Sequence, residues 1–377
     1  MSIEEIPIKY LLYIMLYGGA AVAALLSGIY LFFRKGNAFA ADVTPPVRLR
    51  RWAAAFFAVA FLSHLWWFPF YVYSGDINSV FYVVVAVTDT MGLLTTITGT
   101  LFSMLQDRKR PIWPVVTGAI PCAILYVLNI VYPGSNFITK AIIYILLLYV
   151  FFTIYMIYAV RQYGRWLRDN YADLEYKEVW VSHVLVIVIL LLTISYGLDT
   201  GNLDISYIVQ VVGLVLFFFL LWRVETLPQL ENTSMEPEFL ASDPETTQEP
   251  DIQTQAQHPL TIPANVIQQL LDERCVSTQL YLQHDLTLHQ LAQAIGTNRS
   301  YLSQFFSTHG TTYNAYINDL RINHFVCLYR EATAAQQSIT AQQLASDSGY
   351  RSYSTFGLAF KQRMGQSVTA WMRETAK

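Results

Sequence analysis

The chain opens with seven stretches that are almost continuously apolar, at residues 8–33, 52–73, 79–105, 112–132, 137–160, 179–198 and 205–222. A helix rises about 1.5 Å per residue and the hydrocarbon core of a bilayer is about 30 Å thick, so about 20 apolar residues suffice to cross it. The pattern predicts a bundle of seven transmembrane helices over residues 1–223. The polar intervals between the stretches alternate in charge. Those after the first, third and fifth stretches carry Arg34, Lys35, Arg48, Arg50 and Arg51, then Arg108, Lys109 and Arg110, then Arg161, Arg165, Arg168 and Lys177. Residues 74–78, 133–136 and 199–204 contain no Lys or Arg. Basic loops stay on the cytoplasmic side, so the N-terminus is expected outside and the C-terminus inside. Ala38-Phe39-Ala40 has the form of a signal-peptide cleavage site. Glu4 and Glu5, the length of the first apolar run and the position of Arg34-Lys35 argue against cleavage.

At residue 224 the pattern breaks. Residues 224–262 hold no Lys or Arg, are rich in Glu, Gln and Thr, and are interrupted by Pro228, Pro237, Pro244, Pro250 and Pro259. Such a composition buries too little apolar surface to offset chain entropy, so a flexible acidic linker is expected there. Its root-mean-square reach is about 30 to 35 Å. Helical spacing returns after Pro263 at Val266, Leu270 and Leu271, which predicts the first helix of a third region, 263–377.

Within that region one pattern occurs twice. TLHQLAQAIGTNRSYLSQFF begins at Thr287 and TAQQLASDSGYRSYSTFGLAF at Thr340, and aligning the two threonines superposes Gln290 on Gln343, Leu291 on Leu344, Ala292 on Ala345 and Gly296 on Gly349. Thr287 and Thr340 are placed as N-caps, with Gln290 and Gln343 completing capping boxes. Gly296 and Gly349 supply the positive φ of a sharp turn between two crossing helices. The second helix of each copy is capped by Asn298 or Ser352. With Leu302 and Phe306 inward, Ser300, Ser303, Gln304 and Ser307 face outward, flanked by Arg299. That small polar face suits a major groove: Gln304 matches an adenine edge, the serines either base, and Arg299 a guanine or a phosphate. The second copy presents Tyr353, Ser354, Gly357, Leu358 and Lys361, with fewer base-reading groups.

This arrangement resembles the DNA-binding domain of the AraC/XylS family of bacterial transcription regulators, over roughly residues 265–372. Besides the repeats, the resemblance rests on YINDLRI at 316–322, SITAQQLASDSGY at 338–350 and FKQRMGQS at 360–367. It implies two recognition helices in successive major grooves of double-stranded DNA, with contact to RNA polymerase and a homodimer among the expected partners. Three positions depart from the family's habit: Leu358 where a polar or basic reader is common, Val368 for the usual proline, and Phe325 for a small residue. The first motif is therefore expected to carry most of the specificity.

Composition supports this division. Of 377 residues 54% are hydrophobic and 14% charged, against about 25% charged in soluble domains. The net charge of −3 conceals an acidic linker and a weakly basic C-terminal region, whose attraction for phosphate should fall steeply with salt. Cys122, Cys275 and Cys327 form no paired motif and read as reduced packing residues. No phosphate-binding loop, HExxH or GxSxG is present, so neither an enzyme, a cofactor nor a metal site is expected. His64 and Asp89 are ionisable groups at similar depth in adjacent spans, a costly placement. They form a candidate intramembrane sensor with Trp66, Trp67, Thr88 and Thr90, either by pairing or by lining a pocket; the alternative is a satisfied contact between helices. The whole reads as an all-α regulator in the bacterial inner membrane, DNA-binding domain in the cytoplasm. The competing reading is a membrane receptor or transporter whose C-terminal domain contacts proteins.

Overall fold

The computed structural model describes residues 8–34, 36–41, 43–73, 80–132, 135–174, 177–184, 187–188, 203–230, 263–337 and 340–375. The described residues are helices and their connections, with one isolated antiparallel bridge between Tyr171 and Thr287. They divide into two compact units. Unit 1 comprises Met1–Tyr163 and Tyr176–Glu231, and unit 2 comprises Gly164–Glu175 and Asn232–Lys377.

Unit 1 contains helices α1 (Ile8–Phe33), α2 (Val47–Tyr73), α3 (Val80–Met104), α4 (Trp113–Val131), most of α5 (Phe137–Asn170) and α6 (Leu203–Thr226). Among the described residues five helices, α1, α3, α4, α5 and α6, are long and apolar enough to cross a membrane. The expectation was seven. At 27 residues α2 has the length; it opens with Arg48, Arg50 and Arg51, ahead of the apolar stretch that begins at Trp52, and the side chains of residues 69–73 lie outside the described residues. Of the stretch 179–198 only residues 179–184 and 187–188 are described. Phe32, Phe33 and Phe151 are each at least 70% exposed, an apolar outer surface that water disfavours and hydrocarbon accepts. Inside, small residues let helices approach: Ala20, Ala24, Ala53 and Ala60 are buried, and a Cβ on Gly99 would lie 2.3 Å from the Trp52 ring. Close approach at small residues is how helices associate where no hydrophobic force separates them from lipid.

Helix α6 continues beyond residue 223, where the linker was expected to begin. Glu225 is fully buried, 3.3 Å from Arg50 Nε, and accepts a hydrogen bond from the Tyr30 hydroxyl. The backbone is pinned further on by Gln106, whose amide donates to Pro228 O while its oxygen accepts from Leu230 N–H. Residues 231–262, the rest of the expected linker, lie outside the described residues.

Unit 2 is built from α7 (Ala264–Leu271), α8 (Leu288–Ile295), α9 (Arg299–Thr308), α10 (Tyr313–Ala334), α11 (Ala341–Asp347), α12 (Tyr353–Met364) and α13 (Val368–Thr375). Pro263 opens α7 as expected, but the helix buries Ile267 and Leu271, while Val266 is exposed. One core cluster gathers Leu288, Leu291, Leu302, Phe306 and Ile317; a second gathers Leu344, Phe356, Phe360, Phe325 and Trp371. The 22 residues of α10, about 33 Å long, contribute to both. Phe325, large where a small residue was anticipated, lies 4.5 Å from the Phe356 ring and fills the second core. Val368 takes the first position of α13, where a proline's missing N–H is harmless, and Ser367 Oγ accepts from Ala370 N–H there.

Candidate nucleic-acid interface

In the first copy every local expectation is met. Thr287 Oγ1 accepts from Gln290 N–H at 3.2 Å, and Gln290 Oε1 accepts from Thr287 N–H at 3.0 Å, a complete capping box. Gly296 adopts φ +79°, a conformation open to glycine without cost. Asn298 Oδ1 then accepts from Tyr301 N–H at 2.9 Å and starts α9. Because Leu302, Phe305 and Phe306 are buried, the opposite face turns out. Arg299, Ser300, Ser303, Gln304 and Ser307 line one open depression. All five first-copy candidates are thus brought together on one helix face.

The second copy repeats the path with weaker local support. Thr340 Oγ1 accepts from Gln343 N–H at 3.2 Å, but the Gln343 amide donates to Asp347 at 2.9 Å, so the reciprocal half of the box is missing. Gly349 adopts φ +87°, and a Cβ there would meet Leu282 O at 2.7 Å. Glycine is required here twice over, by conformation and by space. Ser352 Oγ accepts from Thr355 N–H at 3.3 Å and caps α12. Tyr353, Ser354, Leu358 and Lys361 are exposed on that helix, Leu358 to 74%. Nearby cations are engaged: Arg351 pairs with Asp285 at 2.9 Å and Arg363 with Asp319 at 2.7 Å.

Three polar residues matter here that periodicity did not single out. Arg321, inside the YINDLRI stretch, is fully buried and pairs with Asp173 at 2.9 Å. Asn170 accepts a hydrogen bond from Arg299 Nε at 2.8 Å. Asp173 and Asn170 come from the far end of α5 and the turn after it. Their sequence carries no repeat or motif that marks them.

Among the membrane candidates a polar contact between helices is seen, the alternative to a His64–Asp89 pair. Asp89 accepts from Trp67 Nε1 at 3.1 Å, whereas His64 uses Nδ1 on Ala60 O at 2.7 Å, and its ring lies 4.7 Å from that of Tyr17. His64 and Asp89 are not hydrogen-bonded to each other. A cavity of about 290 Å³ in unit 1 is lined by His64, Ser63 and Phe56 but not by Asp89, Trp66 or Trp67. Cys122 and Cys275 are buried as expected; Cys327 is exposed on α10 and does not pack.

Unit 2 thus has the organisation of a DNA-binding regulator domain with two helix-turn-helix motifs joined by a long helix. Residues 291–374 match the family model for a helix-turn-helix domain, which supports the AraC-type resemblance over that part of the chain. Neither the curated proteins nor the solved structures give a match.

Proposed function

We propose that the chain is a membrane-anchored transcription regulator that reads a specific DNA sequence through its C-terminal unit. The observation that carries this is the outward face of α9, where Gln304, three serines and Arg299 form one polar surface on a helix whose other side is core. Gln304 supplies bidentate readout of adenine and Arg299 a phosphate or guanine contact. On α12 the exposed Leu358 offers an apolar contact to a thymine methyl and Lys361 a phosphate contact. The first motif dominates specificity. By the positive-inside rule the basic loops support a cytoplasmic unit 2, with the apolar helices in the inner membrane. Signal reception by the membrane part is assigned to the cavity beside His64, with Asp89 and Trp67 contributing through the neighbouring contact.

The test is selection from a random duplex pool with the full chain in lipid nanodiscs, followed by binding at several salt concentrations. Enrichment of one sequence, with affinity falling as salt rises, supports the proposal. Equal affinity for all duplexes at low salt removes it and favours a membrane receptor or transporter using this unit for protein contacts. His64→Ala leaving every transcriptional response intact removes the sensing role.

A further inference from the structure

We infer that residues 164–174, the end of α5 and the turn after it, are a positioning element of the DNA-reading unit: Asp173 fixes the junction between the two motifs and Asn170 orients Arg299. The inference rests on the DNA-binding reading above and adds residues distant from it in sequence.

The junction is organised around one buried cation. Arg321 Nη1 donates to Asp173 Oδ1 at 2.9 Å, its Nε to Tyr281 O at 2.7 Å and its Nη2 to Gln283 O at 2.7 Å. Its guanidinium carbon lies 5.4 Å from the centre of the Tyr350 ring. Tyr281 and Gln283 lead into the first motif, and Tyr350 follows the turn glycine of the second. The guanidinium therefore sits where the motifs meet. The other oxygen of Asp173 accepts from Asp285 N–H at 3.0 Å, and Asp285 in turn pairs with Arg351 beside the second turn. A buried cation deprived of its carboxylate is strongly destabilised, so the setting of the two motifs depends on Asp173.

The backbone around Asp173 is built into the same unit. Ala172 N–H donates to Leu286 O at 3.3 Å, the Asn314 amide donates to Tyr171 O at 3.2 Å, and Ala172 is 1% exposed within the first core cluster. One residue before Tyr171, the Asn170 amide donates to Trp166 O at 2.6 Å. That bond turns its oxygen toward Arg299 Nε. With Nε held, the guanidinium loses less freedom when its remaining N–H groups meet DNA, and preorganisation of this kind strengthens binding.

Two substitutions in the full chain, in lipid nanodiscs, test this. Asn170→Ala should weaken binding to the selected site by about 3- to 10-fold and reduce the salt slope by about 1. Alkylation of the buried Cys275 thiol, followed peptide by peptide, should stay slow in this variant. Asn170→Gln, which keeps both the amide donor and the acceptor oxygen, should restore part of the affinity. Asp173→Asn should accelerate Cys275 alkylation at least about tenfold with or without DNA, by leaving Arg321 unpaired. Unchanged or tighter binding by Asn170→Ala, or unchanged alkylation in Asp173→Asn, overturns the inference. Should the native chain select no DNA, the regulator reading fails by itself, and alkylation still decides whether the element is part of the unit.

Discussion

The two helix-turn-helix copies follow one path and are supported in different ways. The first has reciprocal capping at Thr287 and Gln290, a polar face on α9, and a core of mainly aliphatic residues with Phe305, Phe306, Tyr281 and Tyr313. The second has half a capping box, an exposed Leu358, and a core in which Phe325, Phe356, Phe360 and Trp371 touch one another. Reciprocal capping thus supports the first copy more than the second, and rings fill a larger share of the second core. The difference shows that one turn geometry can be reached by short-range polar satisfaction or by tertiary burial, and the face free for DNA varies with that choice.

The largest effects should come from the cores. Phe356→Ala removes a fully buried ring and should cost about 3–5 kcal/mol, somewhat more than Leu302→Ala at the equivalent position. Hydrogen exchange resolved by helix should show α11 and α12 opening first in the former and α8 and α9 first in the latter; uniform opening in both would erase the distinction. For DNA reading, Gln304→Ala should lose about 1–3 kcal/mol of discrimination at one base pair, while Leu358→Ala changes preference less. A reversed order in quantitative binding assays would move the specificity to the second motif. Caps come next: Thr287→Ala should cost about 1 kcal/mol, and Thr340→Ala measurably less, because its cap makes one bond instead of two. Equal losses in chemical denaturation would contradict the asymmetry.

The smallest effect is on alkaline stability. Burial pushes the Cys275 thiol from its usual 9.0 up to about 11 and raises the Tyr281, Tyr313 and Tyr316 phenols, all around the first core; in the second core burial raises Tyr350. Folding holds these groups protonated, so their stabilisation is full below the unfolded values and is lost as pH rises through the folded ones. From pH 9 to about 11, α8 and α9 should loosen relative to α12. Loss of α12 first in pH-dependent exchange would reverse the comparison.

Much of this was readable because it is written at short range. The cap and glycine of a turn lie within a few residues, and Thr287, Gln290, Gly296 and Asn298 occupy the positions that spacing assigned them. Apolar runs declare themselves by length. Misreadings arose where a side chain had a choice of partner. Gln343 turns to Asp347 instead of its own cap, and Glu225 is buried against Arg50 despite opening an acidic stretch.

By itself the sequence determined the helical class, the apolar helices, the doubled turn and the polar face of α9, since each follows from repeats one or two helical turns long. Only the tertiary structure decided that the end of α5 completes the C-terminal unit. Asp173 and Arg321 are separated by 148 residues, and no periodicity spans that distance. Their pairing is settled by burial, because a guanidinium removed from water needs a counter-charge and partners for its N–H groups, and the fold supplies Asp173 with the Tyr281 and Gln283 carbonyls.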